Sequence, residues 1–456
     1  MLKDRYLSND PLAWQIYEIM QSKPIISPHG HIDVKVLAEN KPFTNPVELL
    51  ITPDHYITRL LYSQGISYEA LGLDGSKQDP KQIWRLFADN YYLFQATPSR
   101  IWLQEILFSL FEIDQVINSS NADAIYDEID AKLKTNEFLP QNLFNRFNIE
   151  VLATTDSTCT DLSNHKKLQS MGLSGRVIPT FRPDDISDPK RSDWKDTLNK
   201  LSKQSGIEIS TFANLLSALK RQRAYFIEHG ATATDHGVFS AQTLKLEKKE
   251  AEELFQKLLD GDLSQENVEK FRAAILFEHG VMSAEDGLVM QLHPGSLRNY
   301  DVKIFEKFGA DKGFDIPVSL TFTRELQPLL NEVGSSKKFK MVLYTLDEST
   351  YTRELAPLAG VYPSVRLGPP WWFLDSFNGI NRWRDAVTDT AGFYNTVGFI
   401  DDTRAFCSVP VRHDLARRAD AAYLAKKVSE GFLTQSEALS LAPQLAYQLS
   451  KDFFNL

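Results

Sequence analysis

The sequence predicts an α/β chain wound as a single (β/α)8 barrel of the TIM type, and three observations predict it. Eight short apolar runs recur along the 456 residues, helix-length stretches separate most of them, and most are followed by polar residues or glycine. Strands of a parallel sheet, covered on both faces, read as short uninterrupted apolar runs.

The runs are residues 24–27, 151–154, 177–181, 231–234, 288–292, 341–344, 364–368 and 396–400, of which the fourth carries the weakest strand signal. Residues 247–259, 268–278 and 415–429 carry apolar side chains at three- and four-residue spacing between charged ones, the pattern of outer-ring helices. The gap between the first and second runs, about 120 residues, is too long for one barrel crossover. It is rich in Trp, Phe, Tyr and Leu, so a helical insertion over roughly residues 40–150 is expected near the barrel mouth. No fixed-period repeat or low-complexity linker interrupts this plan, and residues 1–456 read as one elaborated barrel.

Composition narrows the function. A 43% hydrophobic, 24% charged chain can bury a large core. A net charge of -10 argues against a general nucleic-acid surface but leaves room for a cationic pocket that takes an anionic small molecule. Cys159 and Cys407 form no CxxC pair, so neither a disulfide framework nor a cysteine zinc site is expected, and a reducing cytoplasm is the natural compartment. The opening residues lack a continuous apolar leader core, and no stretch approaches the roughly 18 apolar residues of a membrane helix. A homo-oligomer stays open.

In such a barrel the chemistry sits where the strands end. After the first run come Pro28, His29, Gly30 and His31; after the fifth, His293; after the eighth, Asp401, Asp402, Thr403 and Arg404. Two imidazoles two residues apart on an extended segment face the same way, so His29 and His31 can share one metal. His293 and Asp402 would complete a borderline-soft donor set. A lone HxH is a weak signal; its placement with a histidine and an aspartate at the ends of the first, fifth and eighth runs favours a metal. His165, His229, His279 and His413 lie in helical or loop contexts and receive no role. His236, after the run with the weakest strand signal, is a candidate for orienting a ligand through a hydrogen bond.

The surrounding words resemble the uronate isomerases of the amidohydrolase superfamily, whose barrels are of the metal-dependent hydrolase kind. They are HGHID at 29–33, DHY at 54–56 followed by Arg59, TPSRIWL at 97–103, TTD at 154–156, FRPD at 181–184, DHG at 235–237, QLHPGSLRN at 291–299, WWF at 371–373 and DDTRAF at 401–406. They run in family order along nearly the whole chain, and QLH with Arg298 five residues after its histidine is specific.

The resemblance implies reversible aldose-ketose isomerisation of hexuronates, D-glucuronate to D-fructuronate and D-galacturonate to D-tagaturonate, with one divalent metal, commonly zinc. Moving a carbonyl from C1 to C2 needs a base, an electrophile for the enediolate and an anchor for the carboxylate. The implied metal ligands are His29, His31 and Asp402, with His293 a further ligand or a donor to a substrate oxygen. Asp402 is also a candidate proton carrier, and His55 and Tyr56 of the DHY word are the other acid-base candidates. By themselves, Asp54-His55-Tyr56 read as a helix cap followed by aromatic packing. Arg182, Arg298 and Arg404 follow predicted strands and can grip a carboxylate through paired hydrogen bonds. Trp371 can wall the pocket against an apolar sugar face or belong to the core.

Two departures from the family stand out. Its usual TDSR reads Asp401-Asp402-Thr403-Arg404 here, which sets an extra carboxylate beside the proposed ligand, and Thr58 stands where tryptophan is common. Two other readings remain: a mononuclear metal-dependent hydrolase of the same superfamily, and a non-catalytic sugar-acid-binding barrel. No lysine follows the fourth run to bridge a second metal as a carbamate.

Overall fold

A computed structural model describes residues 5–7 and 10–456; positions 1–4 and 8–9, within the opening stretch read above, lie outside the described residues. The strands in chain order are β1 (Ile25–Ser27), β2 (Ile149–Ala153), β3 (Asp156–Ser157), β4 (Arg176–Ile178), β5 (Phe181–Arg182), β6 (Ala233–His236), β7 (Val289–Leu292), β8 (Ser296–Leu297), β9 (Ile316–Pro317), β10 (Met341–Leu343) and β11 (Val365–Leu367). Among the described residues they form a parallel sheet β1-β2-β4, a parallel sheet β11-β10-β7-β6-β5-β3, and an antiparallel pair β8-β9.

The two parallel sheets are continuous through their hydrogen bonds. Thr154 N donates to Ile178 O (2.9 Å) and Asp156 N to Thr180 O (3.0 Å), so the second and third predicted runs pair across the break in the assigned strands. The first seven runs therefore neighbour one another in chain order. Such a parallel sequence needs a crossover between each pair, which is why helices separate them.

Two runs differ from expectation. The fourth strand starts and ends two residues later than residues 231–234, as Ala233–His236, in register with Val289–Leu292. The eighth run, 396–400, forms no regular strand: it has one bridge, Leu367 to Thr396, with Leu367 N donating to Asn395 O and Val397 N to Leu367 O. Gly398, at φ 75°, turns the chain out of extended geometry and ends the ladder there. At the same end, His31 N donates to Thr403 O (3.0 Å), which ties the segment after β1 to the segment after the eighth run.

The expected helices form and extend: Lys248–Leu259, Gln265–Asp286 and Ser408–Ser429. Their apolar stripes pack on the strands. Phe181 of β5, fully buried, meets Phe226 edge-to-face at 5.0 Å, and Phe226 belongs to the helix Phe212–Glu228. Cutting Phe181 to alanine would cost about 3–5 kcal/mol through lost burial and the cavity left behind. Between β1 and β2 the chain runs through seven α-helices, from Val34–Glu39 to Pro140–Arg146. Their core, with Trp84, Phe87, Phe111 and Phe144 buried, is continuous with Ile25 and Leu152 of the sheet. Among the described residues no helix is long and apolar enough to cross a membrane.

Candidate functional site

The ten residues given metal, acid-base or substrate roles from the sequence line one cavity of about 570 Å³: His29, His31, His55, Tyr56, Arg182, His293, Arg298, Trp371, Asp402 and Arg404. That volume falls in the range of small-molecule sites. The strands deliver most of them at their carboxyl ends, where the backbone leaves the ladder and side chains are free to converge.

His29 and His31 flank Asp402. His29 Nε2 lies 3.3 Å and His31 Nε2 3.1 Å from Asp402 Oδ1. Asp402 sits at φ 39°, a region aspartate occupies at a cost of about 1 kcal/mol or more, and such outliers persist where the surroundings hold them. His293 stacks on His29 at 4.5 Å and on Tyr344 at 3.9 Å, with the Trp371 edge 4.7 Å away. His29, His293 and Asp402 each present one donor atom within 4.8 Å of the others; His31 adjoins that group through Asp402.

The state of His293 is set from behind. Its Nδ1 pairs with Asp235 Oδ1 at 2.7 Å, and Asp235 is 1% exposed. Burial would push the Asp235 carboxyl up, but the charges of Arg182 and His29 and the hydrogen bond from His293 hold it well below the usual range. Burial in turn pushes His293 down, against the pull of Asp235. An ionised Asp235 and a neutral His293 place the ring proton on Nδ1 and leave the Nε2 lone pair facing the cavity. Among the described residues, buried His293 Nε2 and Asp402 Oδ1 have no hydrogen-bond partner. Two unpaired buried acceptors beside imidazole nitrogens make a site that fits a divalent cation with mixed nitrogen and oxygen ligands.

The other charges are balanced pair by pair. Burial pushes Asp402 up, yet His29 and His31 hold it well below the usual carboxylate range, so it is ionised at neutral pH. Burial pushes His31 down to about 4. Arg182 Nε donates to Asp184 Oδ2 (2.7 Å) and its Nη1 lies 3.2 Å from Asp235 Oδ2. Arg298 Nη1 donates to Asp315 Oδ2 (2.9 Å), and Arg404 contacts both oxygens of Asp311, at 2.6 and 3.0 Å.

His55 and Tyr56 open the helix His55–Ser63, which Asp54 caps by accepting from Tyr56 N (2.8 Å). Capping and placement at the cavity are therefore one local structure, because the first turn of the helix faces the cavity while Ile57 and Leu61 bury behind it. Burial, then the charge of Arg404, pushes His55 down to about 4, so it is neutral at pH 7. The Tyr56 hydroxyl donates to Asp375 Oδ1 (2.7 Å) and accepts from Phe373 N (2.6 Å). Asp375 is held in turn by Arg412 (2.6 Å), whose guanidinium lies 3.7 Å over Trp102. Trp371 is buried, so it is both cavity wall and core.

Sequence reasoning passed over Asp235 in favour of its neighbour. His236 shares a hydrogen bond with Thr234 Oγ1 (2.9 Å) and packs on His279, on the opposite face of β6. Asp235 shares its face with Ala233, which packs against Val289 and Val342. The period-two pattern held that information, but an expected strand ending at 234 gave residue 235 no face. Asp401, the additional carboxylate, is buried and held by His413 Nε2 at 3.0 Å, so one of the histidines without an assigned role pins it.

Parallel strands that gather imidazoles, carboxylates and guanidinium groups at one end define an α/β enzyme working at its strand termini. Comparison with known proteins makes this specific. The family model described as glucuronate isomerase matches residues 1–454. A uronate isomerase of Rhizobium meliloti is 48% identical over 450 residues, covering 98% of this chain and 96% of its own. The crystal structure of glucuronate isomerase from Caulobacter crescentus superposes with a TM-score of 0.97 at 44% identity, covering 100% of this chain and 97% of the other. That of uronate isomerase from Thermotoga maritima gives 0.94 at 29% identity, covering 100% and 99%. The chain belongs to the glucuronate isomerase family. This membership does not favour the hydrolase or the binding-only reading.

Proposed function

We propose that the protein interconverts aldo- and keto-hexuronates, D-glucuronate with D-fructuronate and D-galacturonate with D-tagaturonate, by proton transfer through an enediolate. The observation that carries this reading is that one cavity, in a chain of this family, is lined by all ten residues the chemistry asks for. The seven neighbouring runs, the Leu367–Thr396 bridge and the His31–Thr403 bond support closure into one (β/α)8 barrel spanning residues 1–456. On this reading residues of about 40–150 are a helical insertion that brings His55 and Tyr56 to the mouth. The buried, unpaired thiols of Cys159 and Cys407 suit a cytoplasmic enzyme.

His29, His31, Asp402 and His293 would hold one divalent ion, and imidazole-carboxylate ligation suits zinc. Bound there, the ion would supply Lewis-acid stabilisation of the enediolate charge. Asp402, ionised at neutral pH, accepts the proton from C2 of the open-chain aldose and returns it to C1. Neutral His55 takes the proton of the C2 hydroxyl and gives it to the C1 oxygen as the carbonyl moves, and Tyr56 presents a hydroxyl at the same wall. Arginine binds the distant carboxylate and so fixes which carbon faces Asp402. Trp371 bounds the site and limits water.

The test is proton NMR of D-glucuronate and of D-galacturonate in deuterated water with the zinc-loaded protein. Ketouronate is expected from at least one sugar, with deuterium entering C1 to the extent that the carried proton exchanges with solvent. Conversion of neither sugar overturns the reading.

A further inference from the structure

The third residue of the Asp235-His236-Gly237 word has no part in the mechanism above. Its backbone gives no reason for glycine, since its φ lies outside the left-handed region. Space does. A Cβ on Gly237 would stand 3.1 Å from Arg298 Nη2, 2.9 Å from Asp184 Oδ2 and closer still to Arg182 Nη2. Real Cβ atoms essentially never come within 3.0 Å of a non-bonded heavy atom, so the Arg182 and Asp184 ends would have to move, and 3.1 Å from Arg298 is already tight. Two guanidinium groups thus converge over one Cα on the cavity wall.

Both are braced from behind. Arg182 uses Nε on Asp184 and Nη1 on Asp235, and Asp184 Oδ1 also accepts from Gly237 N at 3.1 Å. Arg298 uses Nη1 on Asp315, which is itself fastened to Asn299 N at 2.8 Å. Neither Nη2 hydrogen-bonds another described residue. Arg404 is different: two of its nitrogens are already engaged side by side with Asp311.

We propose that Gly237 is the positioning residue of a two-arginine seat for the substrate carboxylate, in which each carboxylate oxygen accepts from one Nη2, of Arg182 and of Arg298. The proposal rests on the hexuronate reading and narrows it, choosing two of the three candidate arginines. Two charge-assisted hydrogen bonds from fixed donors select a carboxylate over a neutral hydroxymethyl group. Any side chain at 237 pushes the flexible end of Arg182 aside and opens the pair, while the backbone can stay as it is.

The experiment uses the zinc-loaded full chain carrying Gly237→Ala, with two probes that differ only in the carboxylate: L-gulonate, the C1-reduced form of glucuronate, and D-sorbitol. The Michaelis constant for hexuronates and the L-gulonate inhibition constant should each rise about tenfold or more, with kcat changed less than about threefold and D-sorbitol inhibition unchanged. Unchanged L-gulonate inhibition overturns the proposal, as does equal weakening of both probes, which is what general disorder of the site would produce. Should Gly237→Ala not fold, Arg298→Lys, which keeps the charge and loses Nη2, must give the same selective loss of L-gulonate. If the unaltered protein converts neither sugar, the hexuronate reading falls on its own, and calorimetric binding of the two probes still decides whether the seat exists.

Discussion

Replacing Asp235 by asparagine should weaken metal binding while leaving the fold in place. The carboxylate is 1% exposed, pairs with His293 Nδ1 at 2.7 Å and lies 3.2 Å from Arg182. Asparagine keeps the shape and one acceptor oxygen, so the hydrogen bond survives but loses its charge assistance, roughly half its strength. That is a loss of about 1–1.5 kcal/mol from the orientation and basicity of His293, or about tenfold in affinity, the lower end of the 10–100-fold typical for groups behind a metal ligand. Arg182 keeps Asp184, so its charge is not abandoned, and the stability loss should stay well under the 3–5 kcal/mol of a broken buried pair. Zinc competition against a chromophoric chelator measures the affinity, and a thermal melt of the metal-free protein measures the fold. Unchanged zinc affinity in a folded variant would refute the reasoning, since Asp235 would then serve the structure alone.

Three further outcomes are expected. Asp402→Asn should lower kcat by about 10²–10⁴, the range for losing a positioned proton carrier, and stopped-assay kinetics giving wild-type turnover would remove Asp402 from the chemistry. Tyr56→Phe releases Asp375 and Phe373 N together and should cost about 1–3 kcal/mol of stability, read as a denaturant midpoint; a cost near zero would mean that the hydroxyl does not hold this wall. Burial pushes the Asp156 carboxyl up to about 6, against hydrogen bonds from Thr154 and the Thr180 backbone. The folded protein then binds more protons than the unfolded chain between about pH 4 and 6, so this group favours folding below that window and its contribution is lost as pH rises through it, a penalty on the order of 3 kcal/mol at neutral pH. Asp156→Asn should therefore raise the melting temperature more at pH 8 than at pH 4.5, and equal shifts at both would contradict the assignment.

Where elements could be read from the sequence, the signal was local. The apolar runs of β1, β2, β7, β10 and β11 lie within one or two residues of expectation, because burial on both faces leaves its mark on consecutive residues. The eighth run failed as a strand because one glycine with positive φ outweighs its apolar neighbours. Ala233–His236 was displaced because its second half is polar, and that polarity carried the residue that matters, Asp235.

The convergence of His29, His31, His293 and Asp402 on one cavity was legible because residue type and strand-end position bring it about, and both are properties of the sequence. The partners were not legible. Whether a guanidinium is free or engaged depends on carboxylates remote along the chain: Arg404 meets Asp311 across 93 positions and Tyr56 meets Asp375 across 319. The sequence by itself determined the strand-and-helix alternation, the family and the chemistry gathered at the strand ends. Only the tertiary structure decided which nitrogen of His293 faces the cavity, that Asp235 rather than His236 stands behind it, and that Gly237 leaves room for two arginines. Periodicity and residue type act between neighbours in the chain, whereas charge pairing and clearance act between neighbours in space.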